Sequence, residues 1–383
     1  GSGTVNFGDA SQSGDITLRA DDFDFNAAAT TQVLGSGVLT LEPLPTENSF
    51  DAAYTFSNIT LDENLSGLTL GKASNTADVT ISTATTIAGP ITVYGGDITL
   101  NDNLTASGDI LLSATKNFRT DDGSAQVITS NNNNISIIAN SGATPTPANP
   151  PNPFTPEYGL LDLDYLTLSS GSGDILMRGD TFIFTVAENI TPKIESTGGF
   201  TLEPSTGSFY GTNSGGAVQT AFFVFPNTLT SFTLGKLGNT SGISLDNALT
   251  VAGPITAYGG DIAVNQSLTS TAAGADILLK GSKVTQVAGV SVQANAGDIT
   301  YQVENSPWTA DTEVALKVGD NDPSKIAIIN AQGGNISLTS SYAETGVNNS
   351  SVAVDLGIET VYAEIKTSGT GTIKINGDAF NNA

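Results

Sequence analysis

The chain has 383 residues with 42 Gly, 38 Asp plus Glu against 13 Lys plus Arg, and neither Cys nor His, for a formal charge of −25. Disulfides, redox thiols, Cys/His zinc sites and His-dependent nucleophile systems are thereby excluded. Nucleic acid is disfavoured as a partner, because phosphate binding requires clustered Lys and Arg.

A charged content of 13% with so much Gly favours a β-rich solenoid or sandwich over helices, whose outer faces need Glu, Lys and Arg. The acidic balance suits an extracellular or saline setting and can attract divalent cations. No signal peptide or transmembrane segment is legible. The opening Gly1–Gly3 reads as an expression leader on a piece of something longer.

In chain order, the first strands are expected in "GDITLRADDFDF" from Gly14 and "LTLEP" at Leu39–Pro43. Residues 44–58 lose the strand rhythm and are expected to form an excursion lying against the rest. From Val79 short apolar runs begin every six residues, at Val79, Thr85, Ile91, Asp97, Asn103 and Asp109, so that every third step is 18. Within each run apolar and polar residues alternate, the strand period of two. "ATPTPANPPNPFTPEY" (Ala143–Tyr158) carries six of the 15 prolines and is expected to be an extended loop or linker.

The text then repeats. "ITVYGGDITLNDNLT" (Ile91–Thr105) returns as "ITAYGGDIAVNQSLT" (Ile255–Thr269), and "LTLGK" (Leu68–Lys72) as "FTLGK" (Phe232–Lys236), both 164 residues on. "GDILMRGDTFIF" from Gly173 and "FTLEP" at Phe200–Pro204 answer the opening strands, and a second irregular segment, 205–227, answers the first. The expected organisation is a β-helix module at 1–142, the Pro-rich stretch at 143–158, a second module at 159–304 and a partial third unit or cap at 305–383.

An 18-residue coil with three short sides predicts an all-β fold, a right-handed parallel β-helix with loop or hairpin excursions, in which equivalent positions stack about 4.8 Å apart. With two-thirds of the chain in coil, this gives roughly 14 coils and a rod of about 70 Å. The alternative is a string of tandem β-sandwich domains, which has no reason to keep a six-residue step.

Candidate sites follow from the same text. In "YGGD", Gly95–Gly96 and Gly259–Gly260 are expected at a corner with positive φ, and Asp97 and Asp261 in Asx-type turns. The rival reading makes Tyr94 and Tyr258 a repeated aromatic pair for stacking on sugar rings, joined by Trp308 and, less readily, Tyr301. Acidic clusters at Asp21, Asp22 and Asp24, Asp121 and Asp122, Asp162 and Asp164, and Asp320 and Asp322 make calcium a candidate cofactor, with Asp320, Asp322, Asp21 and Asp22 as ligands. "DNDPSK" begins like an EF-hand but has Lys325 where Gly belongs and Ala331 where Glu belongs. A β-helix hydrolase could draw paired carboxylates from "ADD" or "TDDG". Arg19 and Arg178, like Lys72 and Lys236, are repeat-equivalent, which points to packing or salt links rather than to one active site. Phe222, Phe223 and Phe225 are expected to bury the second excursion or to dock a protein.

The phrases "IAGPITVYGGDITLNDNL", "GDILLSAT", "AGDITYQ" and "GGNISLTS" resemble the repeat regions of very large secreted bacterial surface proteins, the filamentous-haemagglutinin-like adhesins and the giant gliding adhesins of flavobacteria. The resemblance covers most of the chain and implies a secreted, cell-surface stalk or adhesin segment. Its implied partners are neighbouring repeats and extracellular polysaccharide or a solid surface, and it carries over no catalytic residue.

Overall fold

The computed structural model describes residues 4–25, 30–120, 123–140, 159–183, 191–212, 217–304, 314–340, 358–377 and 380–382. Two compact units result: 1–206 with 211–215 and 222–224, and 207–210 with 216–221 and 225–383. Each is a parallel β-helix.

In the first unit eight strands stack to form one face, from Ile16–Arg19 to Gly199–Glu203. A second face runs through Tyr54–Phe56, Val79–Ile81, Ile98–Leu100, Phe118–Thr120 and Leu160–Asp162. A third carries Thr85–Ile87, Leu104–Ala106 and Gln126–Ser130. The second unit repeats the plan, with a first face of six strands from Ser231–Leu234 to Ile373–Asn376 beside sheets of seven and five. Every described ladder is parallel, whereas a Greek-key sandwich pairs its strands antiparallel, so the sandwich alternative falls.

The alternating pattern dictates this packing. Ile91, Ile110, Ile135, Ile175 and Phe200 occupy successive register positions and are all but fully buried. Burying one such side chain contributes about 1.5–3 kcal/mol, and the column repeats that gain in every coil. Thr69, Thr92 and Leu111 take the outward positions between the columns.

The coils are less regular than the 18-residue ladder predicts. The shortest advance by 19 residues, as Ile91 to Ile110 and Val79 to Ile98, because strands pair by side-chain column rather than by where each apolar run begins. The longest advances by 43, from Phe118 to Leu161. The three longest connections between described strands, 139–159, 304–315 and 341–357, leave a first-face strand and arrive at a second-face strand, as does 43–53. One corner of the coil therefore takes most of the decoration. Residues 143–158 lie outside the described residues. The strands on either side pair directly, Ile135–Ile138 with Ile175–Arg178 and Gln126–Ser130 with Leu166–Gly171, so the first unit holds both flanks of the expected linker.

Candidate functional site

The repeated words converge on that same corner, between the first and second faces. Asn75 is fully buried there, and its Nδ2 donates to the Tyr94 carbonyl at 2.8 Å while its Oδ1 accepts from the Phe50 amide at 3.2 Å. Asn239 does the same in the second unit, donating to the Tyr258 carbonyl at 2.8 Å and accepting from the Phe209 amide at 3.3 Å. Ser49 and Ser208 add the same link, each hydroxyl accepting from a corner amide, Thr76 at 3.1 Å and Thr240 at 2.8 Å. A buried amide side chain thus pins each excursion to its coil. The clue in the sequence was the Asn four residues after "TLG", in "GKASN" and "GKLGN".

The paired glycines do different work from the one expected. None of Gly95, Gly96, Gly259 and Gly260 has positive φ. They are needed for space: a Cβ on Gly96 would lie 2.2 Å from the Thr76 carbonyl oxygen, and one on Gly260 2.1 Å from that of Thr240. The positive φ belongs instead to Gly71 and Gly235, at the start of the corner. Asp97 is likewise not in an Asx turn. Its carboxylate accepts from the Asn117 side chain one coil on, at 3.0 Å, and Asp261 is exposed.

Tyr94 and Tyr258 sit at outward positions of first-face strands and are half-buried, each aligned with a long or small polar residue in the next coil, Ser113 and Lys280. Tyr301 is a core residue, fully buried, with its hydroxyl donating to Gln286 Oε1 at 2.7 Å. Trp308 lies outside the described residues. The most exposed tyrosine among the described residues is Tyr210, at 56%, in the unit that also leaves Leu237 exposed at 70%. Their repeat-equivalent positions hold Asp51 and Ala73, so repetition could not point to them.

The acidic candidates are dispersed. In "ADDFDF", alternation turns Phe23 and Phe25 inward, where Phe23 packs against Phe50 and Tyr54 at ring distances of 5.9 and 5.7 Å, and leaves Asp22 and Asp24 exposed. The backbone carbonyl of Asp21 accepts from the Asp51 amide at 3.0 Å, which ties the first excursion down. Asp162 and Asp164 are buried, and their carbonyls accept from the Thr120 hydroxyl. Asp121 and Asp122 lie outside the described residues. Asp322 forms its own turn, accepting from the Ser324 hydroxyl at 2.5 Å and amide at 3.0 Å. These bonds, with Lys325 beside them, hold its carboxyl below the usual range. Asp320 accepts from the Asn321 amide at 2.7 Å. Among the described residues no three acidic side chains converge as cation ligands must, so the calcium set Asp320, Asp322, Asp21 and Asp22 is not brought together.

Elsewhere the charged repeats satisfy one another. Arg19 pairs with Glu42 at 2.6 Å and Arg178 with Glu203 at 2.5 Å, so of the two roles that repeat equivalence left open, packing or a salt link, both arginines take the salt link. Lys72 Nζ donates to the carbonyls of Leu44 and Glu47 and closes the first excursion. Phe223 packs edge-on against Phe200 at 6.0 Å and Phe225 against Phe232 at 5.3 Å, so these two rings serve burial.

Beside the pinned excursion of the first unit, Thr46–Ala53, Thr76–Asp78 and Lys116 line an open cleft of about 540 Å³. Asp78 Oδ1 accepts from Lys116 Nζ at 3.2 Å and from the Asp97 amide at 2.8 Å. The fold and the duplicated corner define a parallel β-helix repeat protein. Comparison with protein families, with characterised proteins and with solved structures finds no match to this chain. Among the described residues no helix is long and apolar enough to cross a membrane.

Proposed function

We infer that this chain is a non-catalytic repetitive segment of a large secreted adhesin at the cell surface, serving as a stalk whose neighbours are further repeats. One observation carries the reading: the residues that the chain writes twice are consumed in holding coils together. Asn75 and Asn239 pin excursions, Gly96 and Gly260 make room for a carbonyl, and Arg19 and Arg178 close salt links. A structural residue recurs with each repeat, whereas a catalytic group is needed once.

Incubation of the chain with a broad polysaccharide panel, with calcium and then with chelator, is expected to release no shortened product. Product that disappears on a single Asp substitution would overturn the stalk in favour of a β-helix lyase or hydrolase. A second reading, a carbohydrate-binding module, is favoured by the polar cleft of the first unit and by the exposed ring of Tyr210. Retention on the same panel without cleavage is its signature. If Tyr94 and Tyr258 carry the contact, Tyr94→Ala with Tyr258→Ala abolishes retention without loss of folding.

A further inference from the structure

The two copies of the repeat agree in what pins the corner and differ in what surrounds it. Ser49–Phe50 answers Ser208–Phe209, Asn75 answers Asn239, and Lys116 answers Lys283. Around them, Glu47, Asp51 and Asp78 of the first copy are answered by Thr206, Tyr210 and Gly242. Packing requires Ser49, Phe50 and Asn75, whose equivalents make the same bonds. It does not require the three carboxylates, which the second copy lacks and which all line the cleft of the first unit.

The cleft is built before any ligand arrives. Its floor, 46–53, is held by Asn75, by Ser49 and by Lys72. The Asp97 amide aims Asp78, and Asp78 in turn holds Lys116. The carboxylates of Glu47 and Asp51 and the side-chain amide of Asn48 have no hydrogen-bond or ion-pair partner among the described residues, so they stand ready to receive one.

Chemistry narrows the occupant. Phe50, the one large apolar residue of the lining, is 4% exposed, so an apolar ligand meets no wall. An anion meets three carboxylates against one ammonium, on a chain of charge −25. A metal ion lacks converging ligands. The remaining match is a neutral ligand in which each polar group both donates and accepts, because the lining alternates acceptors (Glu47, Asp51, Asp78) with donors (Lys116, the Asn48 amide). Neighbouring hydroxyls of a sugar ring have that property: one donates to Asp78 while the next accepts from Lys116. We propose that the cleft between 46–53, 76–78 and Lys116 is a binding site for a neutral saccharide. It rests on the carbohydrate-contact reading and moves that contact from the repeated tyrosines to a site the chain holds once.

The test measures binding of lactose, maltose, cellobiose and mannobiose to the full chain by saturation-transfer NMR and calorimetry. The expected result is binding of at least one of them. Asp51→Asn, which leaves the Asp78 network intact, and Lys116→Met are each expected to weaken it roughly tenfold or more, the loss of a hydrogen bond to a charged group. Thermal unfolding should be unchanged in Asp51→Asn, while Tyr94→Ala with Tyr258→Ala leaves affinity unchanged. Binding that survives both cleft variants but is lost with the tyrosines overturns the cleft and keeps the carbohydrate reading. No binding of any disaccharide, with no retention on the polysaccharide panel, overturns both.

Discussion

Two buried phenols show how much a single partner atom decides. Tyr54 and Tyr301 are 2% and 0% exposed, and burial raises the pKa of both. The Tyr301 hydroxyl donates to Gln286, whose amide bonds the carbonyls of Val290 at 2.8 Å and Ile328 at 3.1 Å. The Tyr54 hydroxyl has no partner among the described residues. Removing a buried donor strands its acceptor, at about 1–3 kcal/mol, whereas removing an unpaired hydroxyl costs nothing in hydrogen bonding. Tyr301→Phe is therefore expected to destabilise the second unit by about 1–3 kcal/mol, and Tyr54→Phe to be neutral or stabilising by roughly 1 kcal/mol. Denaturant midpoints of the two variants check this, and equal losses would refute it.

At the scale of elements, the corners decide where coils can stack. At the corner leading into the first face, an Asx side chain accepts from the amide at or just before the start of the strand one coil on: Asp109 from Asn134, Asn134 from Asp174, Asp174 from Gly199, at 2.6–2.9 Å. The second unit continues the device with Asp276, Asp298 and Asn335. This is why "GD" and "GN" precede so many strands. Close approach is the other constraint, since neighbouring coils leave no volume for a Cβ at Gly96. Gly96→Ala is expected to cost about 1–3 kcal/mol or more, the range of overpacked sites. Gly14→Ala, where a Cβ meets nothing within 4 Å, is the matched control and should stay within about 0.5 kcal/mol. Thermal melts of the pair make the comparison, and parity between them would contradict the steric account.

For the whole molecule, contacts run from each coil to its neighbours, so stability is close to a sum of local terms. Loosening introduced at Tyr301 should stay near it. Hydrogen exchange of Tyr301→Phe is expected to quicken amides in strands Ile277–Gly281, Ile299–Val303 and Ile336–Ser340, and to leave Ile91–Gly95 and Ile110–Ala114 unchanged. Uniform acceleration across the chain would mean one cooperative block instead. The same modularity explains how one corner can diverge into an acidic cleft in the first unit and an exposed Tyr210 in the second while the coils beneath keep their pairing.

The parallel β-helix was legible in the sequence because strand alternation and turn spacing are local, and a solenoid repeats local rules. The structural role of Arg19 and Arg178 was legible for the same reason: repetition marks what stacking needs. Coil length was not, because Val79 chooses Ile98 rather than Asp97 only when side chains enter a shared column. Nor was the role of "YGGD", whose glycines answer a carbonyl belonging to another coil, or of Asn75, whose partners lie 25 residues before it and 19 after. The cleft belongs to tertiary structure in the same way. Glu47, Asp51, Asp78 and Lys116 are scattered along the chain, and only the stacking of successive coils places them around one space. Sequence determines the element wherever the constraint is between neighbours in the chain. The site appears where the constraint is between neighbours in space.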